Sequence, residues 1–261
     1  MQTRQIEYTD AVLVAWENDY HAQAVAARIR DLGRTALVFD ISRFPTEVDL
    51  VWQLAPEGQA LELAIRGAAP ILIGPNTGVW WRRPTPHNLS DVYAHPKIRG
   101  FAASESRHAL LGALMASTKS FLNNPFASQQ AALKPFQLSV AQLVGLNIPC
   151  TLTTNRAQSV LDASNGRYND LVYKLLGGPD FGFFETRILD PVADASDLAL
   201  LQNCPAIFQE HVEGDFDLRI TVVGQQCFPG RIDYVNGQHP VDSRIDPTGI
   251  SPFILGSGPI K

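Results

Sequence analysis

The stretch from Ala11 to Asp40 constrains the fold more than any other part of the chain. "AVLVAW" (11–16) is an apolar run short enough for one strand. It is followed by "NDYHAQAVAARIRDLG" (18–33), in which Asn18 or Asp19 can cap a helix whose positions Ala22, Val25, Ile29 and Leu32 share one face. Gly33 is placed to end that helix, and "TALVFD" (35–40) reads as a second strand. Strand, helix and strand in this order form a β-α-β unit, which is normally parallel and right-handed. "LELAI" and "ILIG" read as a hairpin around Arg66 to Pro70, and "GVWW" (78–81) continues the sheet, giving an α/β domain up to about residue 118. The turn after the first strand, "WENDYH", is bulky and acidic, which disfavours both a Rossmann dinucleotide site and a P-loop.

Composition removes several classes of function. The net charge is −5 with Lys and Arg scattered along the chain, so the electrostatic footprint of a nucleic-acid binder is missing. No apolar run approaches the ~20 residues of a membrane span, and "MQTRQIEYTD" lacks the apolar core of a signal peptide, so the chain is expected to be cytoplasmic, with no membrane partner. Charged residues make up 18% of the chain, below the usual ~25%, which predicts a surface that is partly neutral or covered. Cys150, Cys204 and Cys227 are far apart and each lies in an apolar stretch, so they read as buried thiols rather than metal ligands.

From Ser104 the pattern turns helical, with Ser104 as a cap and Leu110, Leu111 and Leu114 on the inner side. Asn124 before Pro125 reads as a helix start. Pro135 breaks the next apolar pattern just after Lys134, and Gly145 ends the helix that restarts there. "IPCTLTT" and "DLVYKLL" read as strands flanking a short helix, with Lys174 in the second.

Five segments in order, "GVWWRRP", "ESRHALLGAL", "FLNNPFASQQAALKPFQLSVAQLVGLNIPCTLTTN", "VYKLLGG" and "FQEHVEGDFDLRITVVG", give the chain a resemblance to the ATP-grasp ligases, in particular the microviridin-type (graspetide) peptide maturases, over about residues 10 to 245. The resemblance implies a pre-ATP-grasp α/β domain at 1–118, a first ATP-grasp lobe at 119–205 and a partial second lobe at 206–261. It also implies ATP and Mg2+ as cofactors and a precursor peptide with a leader and an acidic core as partner, and leaves a homodimer open.

By the same resemblance Lys134 and Lys174 contact the phosphates, although lysines are usually solvated. A lysine inside the apolar strand "LVYKLL" needs a partner in any case. The glycines of "GGPDFGFF" would let backbone N–H groups approach phosphate, or serve ordinary turns. Glu210 and His211 match the adenine hinge, where the backbone does the pairing, and His211 also reads as a packed or surface histidine. Asp217 would accept from the ribose. Arg219, two residues on and on the same strand face, would lie near the transferred phosphate or the substrate, and it also fits a cross-strand ion pair. Arg231 and Arg244 match arginines near substrate and phosphate, where a guanidinium fork that stays charged binds two oxygens at once; the bland reading, in "HPVDSRID", is a loop arginine.

The resemblance also implies an acidic magnesium ligand and a Glu-x-Asn pair after the position of Arg244. The remaining sequence to Lys261 offers only Asp246, so the metal ligands are not assigned. The chain as given is expected to bind ATP weakly and to turn over no peptide. In "GVWWRRP" strand alternation puts Trp80 with Arg82 and Trp81 with Arg83; one arginine is expected to stack on a tryptophan or to pair with Glu105. No Ser-His-Asp or Cys-His arrangement is evident, consistent with a reaction whose nucleophile comes from the peptide. The predicted activity is formation of amide or ester cross-links through an acyl phosphate. A binding protein without ligase activity and a ligase for a small amino acid remain the alternatives.

Overall fold

The structure is a computed structural model and describes residues 7–89, 92–165, 170–177, 184–233, 241 and 253–254. It divides into two compact units, 1–129 and 130–261.

The first unit is built on the predicted β-α-β motif. β1 (Glu7–Tyr8) precedes β2 (Ala11–Val14), α1 (Tyr20–Asp31) and β3 (Ala36–Phe39), and β2 and β3 pair in parallel. Asp19 caps α1, its side chain accepting from Ala22 N, and Gly33 follows the helix at φ 72°, a conformation open to glycine because it has no Cβ. The helix buries Ala22 and Ala26 against Leu13 and Ala15, while Val25 and Leu32 are exposed. The expected apolar face is therefore rotated toward its alanines, because small residues let the helix approach the sheet closely.

β4 (Val48–Ala55), β5 (Gly58–Ile65) and β6 (Ile71–Ile73) follow, then β7 (Gly78–Trp81), α2 (Pro96–Ser117), β8 (Phe121–Leu122) and α3 (Pro125–Ala131). The hairpin expected around Arg66 to Pro70 is present as β5–β6, and "GVWW" extends the first sheet as β7, parallel to β2. The two do not share a sheet. One sheet runs β3-β2-β7-β8, and the hairpin joins β4 in a second, β1-β6-β5-β4. β4 alternates too weakly to stand out, since six of its eight residues are exposed. Val12, Val14 and Val79 of the parallel sheet meet Leu61, Leu63 and Ile73 of the second sheet and Leu110 and Leu114 of α2 in one core. α2 begins two turns before Ser104, at Pro96 with His95 as its cap, because Pro at the first turn is preorganised for a helix.

In the second unit α4 (Lys134–Leu143) is followed by β9 (Thr151–Thr154), α5 (Ala157–Ser164), β10 (Leu171–Lys174), β11 (Arg187–Ile188), α6 (Ala195–Leu200) and β12 (Ala206–Glu210). The antiparallel sheet runs β11-β10-β12-β9. One face carries Leu171, Tyr173 and Phe208 against Val160 of α5 and Leu198 of α6. β13 (Phe216–Val223) and β14 (Gln226–Asp233) form a hairpin, with β15 (Phe253–Ile254) on the outer edge of β14. The cysteines are free and exposed, not buried. Cys150 and Cys204 stand beside prolines at strand ends, and Cys227 lies on a hairpin with few covered side chains.

Candidate nucleotide site and the carboxyl edge of the first sheet

The way α4 starts and β10 ends brings Lys134 to the end of the strand that carries Lys174. Lys134 is the first residue of α4, and its Nζ donates to the carbonyl of Leu176 at 2.5 Å. Lys174 is the last residue of β10, opposite Ile207 of β12. The ammonium of Lys134 is thus tied to the chain two residues beyond Lys174. No side chain caps the amino end of α4.

At the other end of these strands, Glu210 N donates to Cys150 O at 2.9 Å and His211 N to Asp170 O at 2.8 Å. The Glu210 carboxylate accepts from Cys150 N at 3.4 Å. Both N–H groups are therefore engaged in closing the sheet. Among the described residues, Val212 and Glu213 carry the next N–H groups, and these make no backbone bond.

Asp217 and Arg219 lie on β13 opposite Ile232 and Gly230. Directly opposed residues of an antiparallel pair share a face and neighbours along a strand alternate, so Asp217 and Arg219 project from one face of the hairpin. Arg231, opposite Leu218, projects from the other, where its guanidinium lies 4.1 Å from the centroid of the Phe216 ring. Arg244 and Asp246 lie outside the described residues.

A cavity of about 630 Å³ opens beside Tyr173, Phe208, Leu198 and Leu201, with Lys174, Glu185 and Arg187 at its rim. Its size suits a small molecule. It shares only Lys174 with the predicted residues, and it opens on the helix-covered face of the sheet. A triphosphate needs several cations in one place, so the pairing of Lys134 with the end of β10 is the better guide to a nucleotide than the cavity.

In the first unit "WWRRP" occupies the carboxyl edge of the parallel sheet. Arg82 lies 5.2 Å from the centroid of the Trp80 ring, as expected of the stacked arginine, but its ion pair is with Asp19 (Nε to Oδ1, 3.0 Å) and not with Glu105. The Arg82 bond holds the Asp19 carboxyl below its ordinary range, helped by Ala22 N and opposed by burial. Asp40 is buried at the end of β3, and burial pushes its pKa up. Bonds from Thr85 Oγ1 (2.6 Å), Ser42 N (2.9 Å) and Glu17 N (3.2 Å) outweigh that and hold it low.

Residues 11–130 match the family model of the MvdD pre-ATP grasp domain. The macrocyclase MdnC from Microcystis aeruginosa MRC, solved bound with precursor peptide MdnA, is 27% identical with a TM-score of 0.74, covering 85% of this chain and 75% of that one. The match places a pre-ATP-grasp domain at 11–130, and over most of its length the chain is similar to ATP-grasp ligases. A Chryseobacterium gregarium RiPP-associated ATP-grasp ligase, solved with ADP and a leader and core peptide, shares the fold at 22% identity and a TM-score of 0.76, over 92% of this chain and 73% of that one. The ATP-grasp ligase PsnB, complexed with minimal precursor, Mg and ADP, is 27% identical with a TM-score of 0.63, over 85% of this chain and 72% of that one. No curated protein matches the sequence.

These matches support an ATP-dependent ligase with an α/β pre-ATP-grasp domain, and no helix among the described residues is long and apolar enough to cross a membrane. Two features of its sites were not read from the sequence. The Asp40 network depends on three loops meeting, and Gln209, buried on β12, donates to Thr151 Oγ1 at 2.9 Å across the sheet. An acid directly after an apolar strand was the available signal for the first; nothing in the sequence marked the second.

Proposed function

We propose that the protein joins a carboxylate to an amine or hydroxyl within a ribosomal precursor peptide, using ATP, and that a first lobe at 119–205 and a partial second lobe at 206–261 hold the nucleotide between them. The observation that carries the reading is the tie of Lys134 to the end of β10, which sets one ammonium beside the end of the strand that bears Lys174, and a triphosphate would need both. The uncapped start of α4 adds a positive dipole end. Glu210, His211 and the donors beyond them would meet adenine, Asp217 the ribose, and Arg219 the transferred phosphate. Arg231, on the opposite face, would serve the peptide, and Arg244 the phosphates.

The peptide carboxylate attacks the γ-phosphorus and ADP leaves, giving an acyl phosphate. The amine or hydroxyl then attacks the acyl carbon, loses its proton and expels phosphate, so each bond costs one water from the peptide and one ATP. The macrocyclase bound to its precursor supports a peptide as substrate. Magnesium when bound would neutralise phosphate charge. Among the described residues no three His, Cys, Asp or Glu side chains gather to hold it, so no step here is assigned to the metal.

The test is mass spectrometry of a candidate precursor peptide incubated with the protein, ATP and magnesium. Loss of one water per bond is what this proposal expects, against the absence of turnover expected from the sequence alone, and Lys174→Met should abolish it while weakening ATP binding about tenfold or more, the effect of removing a charge-assisted contact. An intact peptide together with no measurable ATP binding by the unaltered protein would sink the reading.

A further inference from the structure

The order β3-β2-β7-β8 places β2 beside β7, with the chain leaving β2 for β3 on one side and β7 for β8 on the other. This is a topological switch point, and in open α/β sheets ligands bind in the crevice outside the carboxyl ends of the strands there. Two loops line this crevice. The first, after β2, carries Trp16 at 53% exposure and leads into Tyr20, the first residue of α1, at 81%. The second, after β7, carries Arg82, Arg83 and Pro84.

Arg83 is the unusual residue. It is exposed, and among the described residues it forms no ion pair, hydrogen bond or ring contact. Its φ is 42°, in the left-handed region, which a non-glycine residue adopts only at an energetic cost. Pro84 follows it, and a following proline restricts the backbone further. The loop is pinned on both sides: Arg82 N donates to Val14 O at 2.9 Å with its side chain on Asp19, and Thr85 is bonded to Asp40. Glycine would fit this backbone more easily, yet an arginine stands there, its backbone pinned at the carboxyl edge of the sheet.

We propose that this crevice is a binding site for a peptide carboxylate, with Arg83 taking the carboxylate and Trp16 and Tyr20 flanking the chain that bears it. The acids nearby do not need Arg83, since Asp19 pairs with Arg82 and Glu17 with Arg43 at 3.7 Å. An exposed guanidinium at a sheet edge whose other loop leads to exposed aromatic residues suits a peptide, because Trp, Tyr and Arg give the largest contact energies at such surfaces, and its fork fits one carboxylate through two bonds. A phosphate is disfavoured. The turn has no glycine, and the amino end of α1, where phosphate would sit, is taken by the Asp19 carboxylate. The proposal rests on the ligase reading only in identifying the ligand as an acidic peptide.

The test uses a fluorescein-labelled dodecapeptide of alternating Glu and Thr, its counterpart with Gln for Glu, and a fluorescent ATP analogue, each titrated against the full chain and its Arg83→Ala, Arg83→Lys and Arg83→Gly variants. The Glu peptide should bind Arg83→Ala and Arg83→Gly about tenfold more weakly or worse, with Arg83→Lys between, as expected for losing a bidentate charged contact. The Gln peptide and the ATP analogue should bind all four alike, and glutarate should compete better than inorganic phosphate. Arg83→Gly should melt no lower than the unaltered protein. Unchanged affinity for the Glu peptide, equal weakening for both peptides, better competition by phosphate, or a lowered melting temperature in both Arg83→Gly and Arg83→Ala would each overturn the proposal. An unaltered protein that binds the Glu peptide but no ATP would count against the ligase reading and leave this site standing.

Discussion

Single side chains do most to hold the carboxyl edge of the first sheet. Asp40 accepts three hydrogen bonds from three loops while buried, so its removal leaves several donors without a partner. Asp40→Ala is expected to cost about 1–3 kcal/mol, read as a lower urea midpoint. The same carboxyl makes the fold acid-sensitive. Its folded pKa lies below the unfolded value of about 3.9, so the unfolded state binds more protons in acid. Its stabilisation is present above that value and is lost as pH falls through the folded pKa. Melting temperatures measured from neutral pH downward should therefore fall near and below pH ~4, with a shallower slope in Asp40→Asn. Asp10 and Asp19, whose carboxyls are also lowered, should keep part of the slope in that variant.

At the scale of elements, α2 and the β13–β14 hairpin make opposite demands. α2 contributes Leu110 and Leu114 to a core in which Leu114 is fully buried. Leu114→Ala should cost about 2–5 kcal/mol, the range for a cavity left by a buried leucine, measured by denaturant unfolding. The hairpin instead separates its arginines by face. If the face of Asp217 and Arg219 meets the nucleotide, Arg219→Ala should weaken binding of an ATP analogue in a direct titration. Arg231→Ala should leave that affinity unchanged and lower the rate of peptide ligation. Equal effects on ATP from both variants would contradict the strand register.

For the molecule as a whole, the division into two units predicts how a nucleotide acts on stability. A ligand that binds only folded protein stabilises it by about 2.7 kcal/mol at a hundredfold excess over its Kd. Calorimetry with ATP and magnesium should raise the transition belonging to residues 130–261, while acid lowers the one belonging to the unit that contains Asp40. A single transition that moves as one under both treatments would show that the units unfold together.

Local physics made much of this legible in advance. The β-α-β unit, the Asp19 cap, the glycine after α1, the break at Pro135 and the inward leucines of α2 follow from periodicity, capping and the backbone limits of proline and glycine, which act over a few residues. The likeness to ATP-grasp ligases too was legible, from motifs in order along the chain. The split into two sheets, the tie of Lys134 to Leu176, the pairing of Arg82 with Asp19 and the Asp40 network were not. Each joins residues that are far apart in the chain, and sequence periodicity carries no information on which strand edges or loops meet. The strained backbone at Arg83 belongs with them, because a left-handed arginine persists only where the surrounding tertiary bonds hold it in place.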